Sequence, residues 1–175
     1  KLRTDSKGLG FLALAADTVV VLDDQILGKP KDENEARSFL RRLSGRSHLV
    51  ITGVPMIDSS TSIEFSGHAE TTVTFRDLSP EEIETYVASK EPFDKAGGYG
   101  IQGAASRFID HLVGPYDNVV GLPMEVVEEG LRFFSERISG FTVAKNSRMQ
   151  EVGNQVRFFE GEIEKRRPSQ SKLIA

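Results

Sequence analysis

The chain has 175 residues, 38% of them hydrophobic and 27% charged, with a net charge of −4. That length supports one domain with a core, and that charge gives no global electrostatic case for a nucleic-acid polymer or an anionic membrane as partner. There is no cysteine, and the three histidines lie far apart in sequence, which excludes disulfides and thiolate metal sites and argues against a histidine zinc centre.

The first element is "FLALAADTVVVL" (residues 11–22), a dense apolar run that reads as a buried strand. Asp17 interrupts it, and it is too short to cross a bilayer. No apolar signal-peptide region precedes it. Asp23-Asp24 offers a turn and "QILGKP" a short partner strand. Asp32 with Glu35 resembles a capping box, and Ala36, Phe39, Leu40 and Leu43 follow at helical spacing before Gly45. "HLVITGVPMI" reads as a second strand and "DSSTS" as a turn. Ile63, Phe65, Thr71, Val73 and Phe75 share one parity, which predicts a long half-exposed strand. Ser79-Pro80-Glu81-Glu82 starts a helix with Ile83, Tyr86 and Val87 as its apolar stripe. A glycine-dense segment, "DKAGGYGIQG", follows; "RFIDHLVG" reads as a strand, and Pro123 opens a helix carrying Met124, Val127, Leu131 and Phe134. The fold class expected is α/β, a mixed sheet with flanking helices. After residue 139 the chain turns polar, and glycines weaken any helix there by roughly 1 kcal/mol each. The expected division is a folded domain over 1–139 and a tail over 140–175 that is disordered or marginally helical.

Six residues stand out as carriers of chemistry. Asp17 sits in an apolar run, where an unpaired carboxylate is costly. It reads either as a strand-end cap or as a metal ligand or general base at the rim of a sheet. Thr18 beside it reads as a β-former or a contact. Lys29, held between Gly28 and Pro30, is either a solvated turn residue or a phosphate contact. Asp94 and Lys95 open the glycine segment as loop surface or as binding groups. Gln102 has the donors and acceptor needed to read a nucleobase edge, or to satisfy its own loop. The glycines match neither standard phosphate-binding fingerprint.

"AADTVV", "LGKP", "LSGRSHLVITGV", "EPFDKAGGYGIQG" and "VVGLPME" occur in the order and approximate spacing of the Maf family, the septum-formation-inhibitor-like nucleoside triphosphate pyrophosphatases, which the chain resembles from about Phe11 to Ser139. The resemblance implies an α/β fold with a cleft between two lobes, related to that of inosine triphosphate pyrophosphatases. It implies cleavage of a nucleoside triphosphate between its α and β phosphates, with a divalent cation, Mg2+ or Mn2+, as cofactor. The family's catalytic aspartate matches Asp17, a proton acceptor and metal ligand. Its phosphate-contacting lysine matches Lys29, and its substrate-tuning positions match Thr18 and Gln102; Asp94 and Lys95 fall in the same binding motif. The "ADT" form resembles the branch acting on dTTP and UTP. A cytoplasmic location and a homodimer are implied as well. The family's N-terminal Ser-x-Ser-Pro-Arg-Arg segment, whose arginines contact the triphosphate, has no counterpart in this sequence, so the chain reads as truncated at its N-terminus. The alternative function is that of a catalytically impaired nucleotide-binding or cell-division regulatory relative.

Overall fold

The structure is a computed structural model that describes residues 10–138, 141, 148–152 and 156–160. Its centre is an antiparallel sheet in the order β3-β2-β4-β5-β6, with β1 also on β4. The strands are β1 (Leu12–Leu14), β2 (Asp17–Leu22), β3 (Gln25–Leu27), β4 (Ser47–Asp58), β5 (Glu64–Phe75) and β6 (Ile109–Val113). The helices are α1 (Glu33–Leu43), α2 (Pro80–Ala88), α3 (Tyr116–Val120) and α4 (Met124–Arg137). The α/β class is as expected, but the expected mixture of strand directions is not found: every pairing among the described residues is antiparallel. Hairpins join β2 to β3 and β4 to β5, and the α2 connection re-enters the sheet beside the end of β5 that it left. None of these links provides the crossover that a parallel neighbour needs.

The apolar run at residues 11–22 forms two strands rather than one. Leu12–Leu14 lies opposite Met56–Asp58, and Asp17–Val21 lies opposite Leu49–Gly53. Between them stands Pro55. Its carbonyl accepts from the Ala15 amide at 3.1 Å, but it has no N–H to return, so the ladder breaks there. The register is the same on both sides of the break, so Asp17, the first residue of β2, has the parity opposite to the buried Leu14 and Val20 and is exposed.

Local signals set the ends of the elements. Asp23 and Asp24 have φ of 52° and 59°, the left-handed pair that a two-residue hairpin turn requires. Asp32 caps α1 by accepting from the Glu35 amide at 2.9 Å, but the Glu35 carboxylate takes the Lys31 amide instead of closing the box. At α2 the box is complete: Ser79 and Glu82 exchange bonds of 3.2 and 2.9 Å.

One face of the sheet carries the core, in two clusters. Val20, Leu22, Val50, Val73 and Phe75 pack under α1, α2 and the segment that follows α2. Leu14, Val54 and Met56 pack under α4 through Val127 and Phe134. A fully buried side chain of this size contributes roughly 1.5–3 kcal/mol. The short helix α3 lies where the clusters meet. Among the described residues, no helix is long and apolar enough to cross a membrane. In the stretch expected to be disordered or marginally helical, β7 (Arg148–Val152) and β8 (Val156–Glu160) pair as an antiparallel hairpin.

Candidate active site

The segment after α2 is built from three short 3-10 turns, Glu91–Asp94, Ala96–Gly98 and Ala104–Phe108. Its glycines answer first to the chain's own packing. Gly97 has φ +68° and rests on Val20, whose side chain a Cβ would strike. The Gly97 amide donates to the Gly28 carbonyl at 3.0 Å. A Cβ at Gly103 would overlap the Glu91 carboxylate, which accepts from the Ala104 amide at 3.1 Å and the Tyr86 hydroxyl at 3.2 Å. At these two positions the absence of a side chain is therefore required by the chain's own packing.

Docking of Gly97 on Gly28 brings "LGKP" beside "DKAGGYGIQG". Lys95 Nζ lies 2.8 Å from Asp94 Oδ1. That hydrogen bond, with the charges of Lys95 and Lys29, holds the Asp94 carboxyl below the usual carboxylate range against a smaller opposing effect of burial. Two cations and one anion thus converge from segments more than sixty residues apart in the chain. Gln102 is exposed on a turn closed by the Gly103 amide on the Gly100 carbonyl at 3.1 Å.

Thr18 lies in a polar band that crosses the sheet between the two apolar clusters. Its hydroxyl is 2.9 Å from that of Thr52. Thr52 Oγ1 donates to the Asn118 carbonyl at 2.9 Å. Asn118 Nδ2 donates to the Val50 carbonyl and to Thr71 Oγ1, both at 2.9 Å. Thr71 donates in turn to the Pro115 carbonyl at 2.8 Å. Thr52, Thr71 and Asn118 are fully buried, whereas Thr18 is half-buried. Gly121, at the end of α3, backs on the Thr18 hydroxyl.

Of the six residues predicted from sequence, Asp94 and Lys95 pair directly, and Lys29 lies close enough for its charge to act on Asp94. Asp17 and Thr18 head β2, whose Val20 underlies Gly97, so they stand on the strand beneath that loop. No described contact joins Asp17 to Lys29 or Gln102. Asp17 Oδ1 accepts from the Thr18 amide at 3.0 Å, and its second oxygen has no protein partner among the described residues. There is also no group of three or more His, Asp or Glu side chains placed to hold a metal ion among those residues.

Sequence reasoning gave no site role to His48, Glu91, Tyr99, Thr52, Thr71 or Asn118. Threonine and histidine within a strand look like ordinary strand residues, and α3 carries too short a pattern to be seen. His48 is 4% exposed, and its Nε2 lies 2.7 Å from the Tyr99 hydroxyl, which pins the glycine segment to the sheet. Burial pushes the His48 pKa from 6.5 down to about 4. As pH falls below 6.5, the unfolded chain therefore takes up the proton first. The stability that His48 contributes is complete above that value and is lost as pH drops towards 4. Between about pH 7 and pH 5 the expected loss from this residue is about 2 kcal/mol. Urea unfolding of the wild type and of His48→Gln at the two pH values checks it: the variant is expected to lack this increment.

Comparison with known proteins follows the same boundaries. The family model described as "Maf-like protein" matches residues 5–134. A dTTP/UTP pyrophosphatase of Bacillus mycoides is 48% identical over 128 residues, 73% of this chain and 66% of the relative. One from Bacillus cereus is 50% identical over 123 residues, covering 70% and 63%. One from Desulfitobacterium hafniense is 52% identical over 120 residues, covering 69% and 54%. The chain thus spans between about half and two thirds of the length of these relatives. With the family model covering most of the described domain, and with the motif segments meeting around β2, the chain belongs to the Maf-like protein family.

Proposed function

We propose that this chain carries the nucleotide site of a pyrophosphatase that hydrolyses dTTP and UTP to the monophosphate and pyrophosphate. The observation that carries the reading is the convergence of Lys29, Asp94 and Lys95 beside the strand headed by Asp17 and Thr18. The names of the relatives give the substrates. Water attacks the α-phosphorus; its oxygen bonds to phosphorus, and the bond to the bridging oxygen breaks as pyrophosphate leaves. Asp17 is the proton acceptor, being exposed with one oxygen uncommitted. Lys29 and Lys95 place positive charge where the leaving phosphates gather negative charge. Gln102 meets the base edge. A single free carboxylate fits a divalent ion delivered with the substrate, since Mg2+ binds through one or two carboxylates plus phosphate oxygens and water. Asp17 is the residue that would hold Mg2+ or Mn2+, and the bound ion supplies charge neutralisation and a more acidic water. The proposed setting, a cytoplasmic homodimer, rests on the family resemblance alone.

The test is pyrophosphate release from dTTP, UTP and CTP by the folded chain with Mg2+ or Mn2+. Release favouring dTTP and UTP is expected. A folded chain that neither releases pyrophosphate nor binds these nucleotides would overturn the reading.

A further inference from the structure

The hydrogen bonds beneath Thr18 have only one consistent direction. A threonine hydroxyl has one hydrogen to give. That of Thr52 goes to the Asn118 carbonyl, a group that can only accept. The Asn118 side chain is fixed too, since its Nδ2 faces the Val50 carbonyl and Thr71 Oγ1, and the Thr71 hydrogen goes to the Pro115 carbonyl. The bond between Thr18 and Thr52 must then be donated by Thr18. What Thr18 Oγ1 has left is lone pairs.

We infer that Thr52 and the Asn118 carbonyl act as positioning groups that lock the Thr18 hydroxyl as an acceptor, so that the site selects a base edge presenting an N–H donor. This rests on the proposed nucleotide site and deepens it. Uracil and thymine carry such a donor at N3; cytosine carries an acceptor there. Gln102 alone does not make this choice. It is exposed and held by no bond among the described residues, so its amide can turn to present either oxygen or nitrogen. Discrimination needs a group whose polarity does not rotate. A site built to pair with a donor rejects a base that leaves its acceptor facing another acceptor.

Two measurements test this. In neutron diffraction from deuterated crystals, the deuteron between the two hydroxyl oxygens is expected on Thr18; a deuteron on Thr52 overturns the inference without touching the proposed activity. The second compares kcat/KM for UTP and CTP, and binding of UMP and CMP, in the wild type, Thr52→Val and Thr52→Ser. Valine has the shape of threonine, and the Asn118 carbonyl keeps its bond from the Gly121 amide at 3.0 Å, so the variant is expected to fold. It frees the Thr18 hydrogen to donate to cytosine. The UTP:CTP ratio is expected to fall about tenfold, through a lower KM for CTP, and Thr52→Ser to restore it. A purely structural role for Thr52 lowers both substrates alike. An unchanged ratio with UTP still hydrolysed therefore sinks the inference and leaves the proposed function standing. If no variant binds or hydrolyses any nucleotide, both fall together.

Discussion

Asp17→Asn is expected to lower pyrophosphate release by roughly 10²–10⁴-fold, the usual contribution of a positioned general base. The fold is expected to be indifferent. Asp17 is exposed at the head of β2, and the one bond it accepts within the chain, from the Thr18 amide at 3.0 Å, can be kept by the asparagine oxygen. Exposed substitutions of this kind usually change stability by no more than about 0.5 kcal/mol. The measurement pairs steady-state release from UTP with the urea midpoint. A variant that keeps wild-type release places the proton acceptor elsewhere. A variant that loses activity and stability together gives Asp17 a structural role that its exposure does not predict.

The second large effect is on stability. Asn118→Ala removes the two bonds that Nδ2 donates to the Val50 carbonyl and Thr71 Oγ1, in a fully buried position between the two apolar clusters. Buried groups left without partners cost about 1–3 kcal/mol each, so a loss of about 3 kcal/mol is expected. Because α3 sits over the junction of β2, β4 and β5, the loss should appear as a lower urea midpoint with an unchanged slope. A cost below about 1 kcal/mol would mean that water replaces the amide and that the polar band is not closed to solvent.

These two residues were unequally legible. Asp17 stands out in the sequence because a carboxylate in an apolar run is rare. Asn118 does not stand out, since its neighbours Tyr116, Asp117 and Val119 give no periodic pattern long enough to mark a helix. The same contrast holds for the loop. Its glycines are conspicuous, but their partners Val20 and Glu91 are not.

What the sequence determined by itself was local. The Asp23-Asp24 turn and the caps at Asp32 and Ser79 rest on contacts within a few residues, and the stripes of α2 and α4 and the shared parity of Thr71, Val73 and Phe75 show as a repeat along the chain, which periodicity encodes. The order of the family motifs was legible for the same reason. Only the tertiary structure decided the rest. Pro55 splits the first apolar run because it lies opposite the gap across the sheet, and the sheet's core face, taken by Leu14 and Val20, leaves Asp17 on the exposed parity. His48 meets Tyr99 across 51 positions, and Thr52 meets Asn118 across 66. Such pairs leave no period in a sequence. Their positions, and the direction of the hydrogen bond at Thr18, are fixed when strands and helices distant in the chain pack together and each buried donor must find an acceptor.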